Sequence, residues 1–299
     1  NGIPVISLVY ENNQSARDAC AGSVDSDCYY KWRKEIIEGI DYSSEISVDV
    51  DHSILDRFTR ILSYMSTTEP NQGWDQFHSG STIHWNKIII GGHSQGAGHS
   101  AIFAKENLVD RVLMFGGPND IDSSDFSSAG WSSLTSSTPN ERYFGFANQA
   151  DEVGFNYQYQ FWTDMGIASF GDTVSIDHFP CPYYNTKQLI TYFDAPTGTL
   201  PRKHNSVIRD GETKLDGNGD PVFEEVWKYM LGLGCDIVDI EEKYKNDPII
   251  YPNPAKTEIT ITKGEIVQLF ELSGKLIYST NLTAESTTLN ISFLSAGVY

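Results

Sequence analysis

The chain has 299 residues, with 40 acidic against 21 basic side chains and a formal net charge of −19. This length allows one large domain with an appendage. The negative charge argues against nucleic acids and anionic membrane surfaces as partners, because both attract basic proteins. No apolar run approaches the length that is needed to span a bilayer.

The first third of the chain predicts one strand and two helices. Residues 3–10 (IPVISLVY) form an apolar run that is typical of a buried strand. Residues 30–40 predict a helix, and Asp51 is a suitable N-cap for an amphipathic helix that ends near Met65. We interpret the apolar faces of these helices as core.

From residue 87 to residue 231 the sequence alternates between strands and helices. Strands are predicted at 87–90, 111–115, 143–147 and 173–176, and helices at 95–108 and 222–231. This alternation is the signature of a mostly parallel α/β sheet flanked by helices. We therefore assign the α/β class to residues 1–240.

The composition changes after residue 240. A charged linker at 241–248 precedes residues 249–299, which contain only short alternating segments around a Ser273-Gly274 turn. Period-two alternation between turns predicts antiparallel strands. We expect a small antiparallel β-sandwich module here.

The four cysteines are Cys20, Cys28, Cys181 and Cys235. No C-x-x-C pair or zinc-ligand spacing is present. An even count in an acidic chain favours two disulfides and an oxidising compartment. Cys20–Cys28 closes a short loop, and Cys181–Cys235 follows by elimination, although four reduced cysteines remain the alternative.

A short apolar run leads into Gly92-His93-Ser94-Gln95-Gly96, which fits the G-x-S-x-G pattern between a strand and a helix. Such a turn projects the serine hydroxyl, and side chains at 92 or 96 are expected to collide with neighbouring backbone. Ser94 is the candidate nucleophile, and the Gln95 amide is the candidate oxyanion donor. The alternative is a tight turn with an inert serine.

A nucleophilic serine needs a base, and the base needs a carboxylate that orients it. His204 and His178 are the histidines that follow the candidate acids in the order Ser–acid–His. We predict His204 as the base and Asp151 as the acid, with Asp120 as the alternative acid. His178 could instead be a packed structural residue. Two further histidines near the turn are interpreted as structural: His93 and His99.

The elbow Gly92–Gly96, the later Asp151 and the still later His204 resemble the α/β-hydrolase superfamily. Residues 111–120 and 143–151 fit its sixth and seventh strands, and the resemblance covers about residues 1–234. It implies a serine esterase or lipase in which the three residues of the triad are Ser94, His204 and Asp151.

The chain departs from that family at its beginning. Only one predicted strand, 3–10, precedes the elbow strand, where the family has several. We therefore expect the missing N-terminal strands, and the loop that supplies the second oxyanion amide, to lie upstream of Asn1.

Aromatic residues follow the proposed acid at 155–162 (FNYQYQFW) and could line a substrate pocket or form core. The candidate substrate-binding residues are Trp131, Phe155 and Trp162. A calcium-loop-like run begins at Asp216, but Trp227 stands where a glutamate ligand is needed, so a plain turn is favoured. No metal or organic cofactor is implied.

The chain ends with two further motifs. Residues 251–254 (YPNP) and 294–299 (LSAGVY) resemble the type A C-terminal sorting domain of the type IX secretion system, which is found in Bacteroidota. This resemblance implies an export address that is recognised by the secretion machinery and takes no part in catalysis.

Together these features predict a secreted or cell-surface serine hydrolase that cleaves small-molecule or polymeric carboxylic esters. The rival hypotheses are a peptidase or acyltransferase with the same triad and a non-catalytic surface or glycan-binding protein on the same fold.

Overall fold

A computed structural model describes the chain at residues 3–121, 126–195, 202–235, 249–251, 257–262, 266–270, 276–281 and 286–294. It divides into two compact units, Asn1–Cys235 and Asp236–Tyr299. The predicted linker 241–248 lies outside the described residues.

The first unit contains a five-stranded parallel sheet. Its strands are β1 (Ile89–His93), β2 (Arg111–Phe115), β3 (Tyr143–Asn148), β4 (Val174–Ser175) and β5 (Gln188–Thr191). Their spatial order is β1-β2-β3-β5-β4. The predicted parallel α/β sheet is confirmed. The sequence of residues 187–192 is compatible with either a short helix or an extended segment, and the structure shows that its residues 188–191 are the strand β5.

Helices of this unit connect the strands and cover the sheet. They are α1 (Ala16–Cys20), α2 (Cys28–Glu38), α3 (Ile54–Thr68), α4 (Gln95–Glu106), α5 (Phe155–Asp164), α6 (Arg202–Asn205) and α7 (Glu224–Leu231). Side chains alternate along β2, so that Val112 and Met114 join a core with α4 and α5, whereas Leu113 and Phe115 join a second core with α7. Both faces of the sheet are therefore buried, as a parallel sheet requires.

The N-cap of α3 differs from the prediction. Ser53 accepts a hydrogen bond from the Asp56 amide at 3.2 Å and caps the helix. Asp51 lies in a preceding 3₁₀ turn, Val50–His52. The short side chain of Ser53 places its hydroxyl within reach of the free amides of the first helical turn.

The strand predicted at 3–10 is wrong. No residue of this segment is in a strand, and the side chains of Val5 and Val9 are 79% and 76% exposed. The segment borders an apolar cavity of about 550 Å³ that is also lined by residues 88–93 of the sheet edge. An apolar run becomes a strand only when a neighbour supplies partners for its backbone groups. The described residues give this segment no such ladder.

Both predicted disulfides are present. Cys20–Cys28 joins α1 to the start of α2, and Cys181–Cys235 joins the loop before β5 to the residues after α7. Each bond closes a loop in the unfolded chain and so favours the folded state.

The second unit consists of antiparallel strands, as predicted. They are β6 (Ile249–Tyr251), β7 (Glu258–Thr262), β8 (Ile266–Phe270), β9 (Leu276–Asn281) and β10 (Ser286–Asn290). One sheet has the order β10-β7-β6, and β8 pairs with β9. Ile259, Ile261 and Val267 form its small buried cluster. The predicted Ser273-Gly274 turn lies outside the described residues.

His99 is a buried titratable group in the first unit. It lies on α4, with its ring 4.7 Å from the Tyr10 ring and 5.9 Å from the Trp32 ring. Neither of its ring nitrogens has a hydrogen-bond partner within the part of the chain that the structure describes. Burial, together with the charge of Arg33, holds the pKa of His99 well below its usual value. His99 is therefore neutral in the folded protein.

We predict that His99 makes the fold acid-sensitive. Because its pKa is lower in the folded state than in the unfolded chain, the unfolded chain binds one more proton below about pH 6.5. The free energy of unfolding should fall by about 2 kcal/mol from this residue between pH 7 and pH 5. Urea unfolding at both pH values would measure the total fall, and His99→Phe should reduce it by about the amount that His99 contributes. Exposed His52→Gln is the matched control, and an undiminished fall in His99→Phe would contradict the prediction.

Candidate active site

Ser94 lies in the turn between β1 and α4 with φ 56° and ψ −116°, a conformation that a non-glycine residue rarely adopts. Its amide donates to the Phe115 carbonyl at 2.8 Å, which ties the turn to the end of β2. A Cβ atom at Gly92 would lie 2.2 Å from the Gly96 carbonyl carbon, so glycine is required at 92. At Gly96 the nearest atom to a Cβ, the Tyr10 hydroxyl, is 3.7 Å away, so the collision expected there is absent.

His204 and Asp151 form a buried hydrogen bond. Asp151 follows β3, His204 lies on α6, and the His204 Nδ1–H donates to Asp151 Oδ2 at 2.7 Å. The two side chains are 4% and 0% exposed. His204 Nε2 is also buried and has no hydrogen-bond partner in the described parts of the chain. The imidazole is thus oriented at one nitrogen and free at the other.

The His204 ring lies beside the residues that flank Ser94. Its centroid is 4.6 Å from that of the His93 ring, and its Cε1 atom is 3.0 Å from where a Gly116 Cβ would be. A Cβ at Gly117 would lie 2.7 Å from the Ser94 carbonyl oxygen. The structure therefore gathers the three predicted residues, Ser94, Asp151 and His204, at the carboxyl end of the sheet, where ligands bind in open α/β folds.

Asp151 is held in its ionised form. Burial raises its pKa, but the hydrogen bond and charge of His204, with hydrogen bonds from Gln158 and the Val153 amide, outweigh burial and lower the pKa below its usual value. Gln158 Nε2 donates to Asp151 Oδ2 at 2.7 Å, and the Val153 amide donates to Oδ1 at 2.7 Å. Asp151 can therefore stabilise a positive charge on His204.

Two residues position the backbone of His204, and the sequence analysis missed both roles. Glu152 accepts hydrogen bonds from the Lys203 and His204 amides at 2.9 and 3.1 Å. His93 Nε2 donates to the His204 carbonyl at 2.9 Å. Burial and the neighbouring His204 lower the pKa of His93 to about 4, so this donor stays neutral. In the sequence, the only signals for these roles are that Glu152 directly follows Asp151 and that His93 directly precedes Ser94.

Asp120, the alternative acid, is paired with Arg33 and not with His204. The Arg33 Nε and Nη2 atoms donate to its two oxygens at 2.6 and 2.5 Å, and both side chains are 3% exposed. Trp131 Nε1 donates to Asp120 Oδ2 at 2.9 Å, and Arg33 Nη1 donates to the Gln95 carbonyl at 2.8 Å. Through the bond from Arg33 to the Gln95 carbonyl, this cluster stabilises the first turn of α4.

Gln95, the candidate oxyanion donor, is the first residue of α4, where backbone amides and the helix dipole favour negative charge. Its side chain accepts from the Ala16 amide at 2.7 Å and donates to the Gln14 carbonyl at 3.1 Å. A loop far upstream in the sequence is thereby fixed beside the elbow. The expected second oxyanion amide remains a prediction.

The candidate substrate-binding aromatics take different places. Phe155 lines a cavity of about 520 Å³ together with Asp151. Trp131 and Trp162 lie in the core, and Trp162 Nε1 donates to the Gly117 carbonyl at 2.9 Å. Of the three, only Phe155 borders this cavity, while the two indoles support the walls of the site. A separate cavity of about 280 Å³ includes Ser94.

Comparison with known proteins identifies the C-terminal unit. Residues 249–299 match the family model of the secretion system C-terminal sorting domain. No curated protein and no solved structure was found to match this chain. The match shows that the protein engages the type IX secretion machinery and is secreted or displayed at the cell surface.

Among the described residues, no helix is both long and apolar enough to cross a membrane. In the same residues, no group of three or more His, Cys, Asp or Glu side chains could hold a metal ion.

We predict that Asp120 supports the fold rather than proton transfer. Asp120→Asn leaves the buried Arg33 guanidinium without its counter-charge, so the free energy of unfolding should fall by about 3–5 kcal/mol. Urea unfolding at pH 7 would measure the loss. Asp25→Asn, which removes an exposed carboxylate paired with Lys31, is the matched control and should change little. Equal effects of the two variants would contradict the structural role.

Proposed function

We propose that this secreted protein is a serine hydrolase that cleaves carboxylic esters through an acyl-enzyme intermediate. The observation that carries the proposal is the buried 2.7 Å hydrogen bond between His204 Nδ1 and Asp151 Oδ2, next to a serine in a strained strand–helix turn. The free Nε2 of His204 supports a role as general base.

In the first step, Ser94 Oγ attacks the carbonyl carbon of the ester while His204 Nε2 takes the hydroxyl proton. Asp151 fixes the tautomer with the proton on Nδ1 and stabilises the imidazolium that forms. The hydrogen bond between Ser94 and His204 is not yet formed in this structure, because Nε2 has no partner. Such bonds commonly tighten only when substrate binds.

The Gln95 amide, at the N-terminus of α4, would stabilise the negative charge that develops on the carbonyl oxygen. His204 then gives its proton to the departing alcohol oxygen, which leaves Ser94 acylated. A water molecule attacks this second ester, again with His204 as the base. The products are an alcohol and a carboxylic acid, and Ser94 regains its proton.

We predict that two variants separate this mechanism from a non-catalytic role. Ser94→Ala should lower kcat on short 4-nitrophenyl esters by about 10⁴- to 10⁶-fold, since it removes the nucleophile. Asp151→Asn should lower kcat by about 10³- to 10⁴-fold, because the amide favours the wrong tautomer of His204. Steady-state kinetics, with circular dichroism to confirm folding, would measure both losses.

Ser100→Ala is the matched control, because Ser100 lies on α4, the helix that follows Ser94, but lines a different cavity. Retention of more than about a tenth of the activity in Ser94→Ala would refute the assignment. Hydrolysis of matched anilides at rates comparable to those of the esters would favour a peptidase instead.

A further inference from the structure

The 280 Å³ cavity that includes Ser94 also contains a cationic side chain that forms no ion pair with the described residues. Four charged side chains line the cavity: Arg17, Arg33, Asp18 and Asp120. The Arg33 guanidinium pairs with Asp120 through two hydrogen bonds and donates a third to the Gln95 carbonyl, as described above. Arg17 is different.

Arg17 forms no ion pair with any residue in the described ranges. Its Nη2 donates to the Asn119 carbonyl over a long 3.4 Å, and its guanidinium stacks on the Tyr157 ring with 5.0 Å to the centroid. A guanidinium has five donors in one plane. Within the part of the chain that the structure describes, most of the hydrogen-bonding capacity of Arg17 is therefore left for a ligand.

The other charged groups around the cavity form hydrogen bonds of their own. The Asp18 carboxylate accepts from the Ser15 hydroxyl at 2.7 Å, and the Asp18 amide donates back to that hydroxyl at 3.0 Å. Asp120 is neutralised by Arg33. The net charge of the chain is −19, whereas Arg17 places a positive charge that has no counter-ion among the described residues in the cavity of the nucleophile.

The position of Arg17 is fixed relative to the elbow. The amide of the preceding residue, Ala16, donates to Gln95 Oε1 at 2.7 Å. The Cys20–Cys28 disulfide anchors the other end of α1. Because the backbone at Arg17 is already held in place, little conformational entropy is lost there when a ligand binds.

We propose that Arg17 recognises a carboxylate on the substrate, so that the enzyme prefers esters that carry a carboxylate near the scissile bond. A guanidinium can bind a carboxylate through two parallel hydrogen bonds, and the stacking on Tyr157 sets its plane. Phe126 stacks on the same tyrosine at 6.0 Å between ring centroids, and both rings line the 520 Å³ cavity. The remainder of the substrate would lie against this aromatic wall. The proposal rests on the esterase activity proposed above.

The test compares two pairs of esters that differ in one charge. The pair 4-nitrophenyl hemisuccinate and methyl 4-nitrophenyl succinate places the carboxylate on the acyl side. The pair 4-acetoxybenzoate and methyl 4-acetoxybenzoate places it on the alcohol side. We expect the wild-type enzyme to prefer the anionic member of one pair. The preferred pair shows whether Arg17 binds a carboxylate on the acyl part or on the alcohol part of the ester.

Arg17→Gln should lower kcat/KM for that anionic ester by about 10- to 100-fold, the range for losing a hydrogen bond between charged groups. Hydrolysis of its neutral partner should stay within about threefold, because the neutral ester makes no such bond. Arg17→Lys should restore part of the preference, since it keeps the charge without the planar fork. Added salt should shrink the wild-type preference, which a structural role of Arg17 would not produce.

Arg60→Gln is the control for loss of one positive charge, since Arg60 is exposed and pairs with Asp56. Equal loss on anionic and neutral esters in Arg17→Gln would overturn the inference, and so would a preference that does not depend on Arg17. In both cases the hydrolysis of neutral esters would leave the esterase proposal intact. Failure to hydrolyse all four esters would overturn the proposed function itself.

Discussion

The turn at Ser94 is the constraint on which the first unit depends. Its positive φ is held by the hydrogen bond from the Ser94 amide to the Phe115 carbonyl and by the close backbone approach at Gly92. Arg33 binds the carbonyl of the next residue, Gln95. Because strained backbone persists only where its surroundings over-determine it, these contacts explain why α2, β2 and the elbow converge at one point.

Two buried carboxylates flank this turn and have opposite chemistry. Asp120 faces Arg33, whose charge is permanent, so the pair is suited to hold the structure together. Asp151 faces His204, and the second nitrogen of that ring has no hydrogen-bond partner among the described residues. Both acids are buried, so burial does not distinguish them. The partner distinguishes them, because an arginine makes a structural pair and a histidine makes a candidate catalytic pair.

The local signals in the sequence were enough for the elbow, the parallel sheet and the choice of Asp151 and His204 as candidates. They could not reveal the Arg33–Asp120 pair, because the two residues are 87 positions apart and lie in unrelated motifs. For the same reason, the sequence could not reveal that the Gln95 side chain binds the backbone of residues 14 and 16. The strand predicted at 3–10 failed for a related reason, since an apolar run does not specify the neighbour that must pair with it.

Ser94 is proposed to be an activated nucleophile, and covalent labelling tests this role most directly. A fluorophosphonate probe reacts with a serine only when a base and an oxyanion site activate it. Peptide mapping by mass spectrometry after incubation of the folded protein should find one adduct, on Ser94. An unlabelled protein, or an adduct on another residue, would contradict the claim.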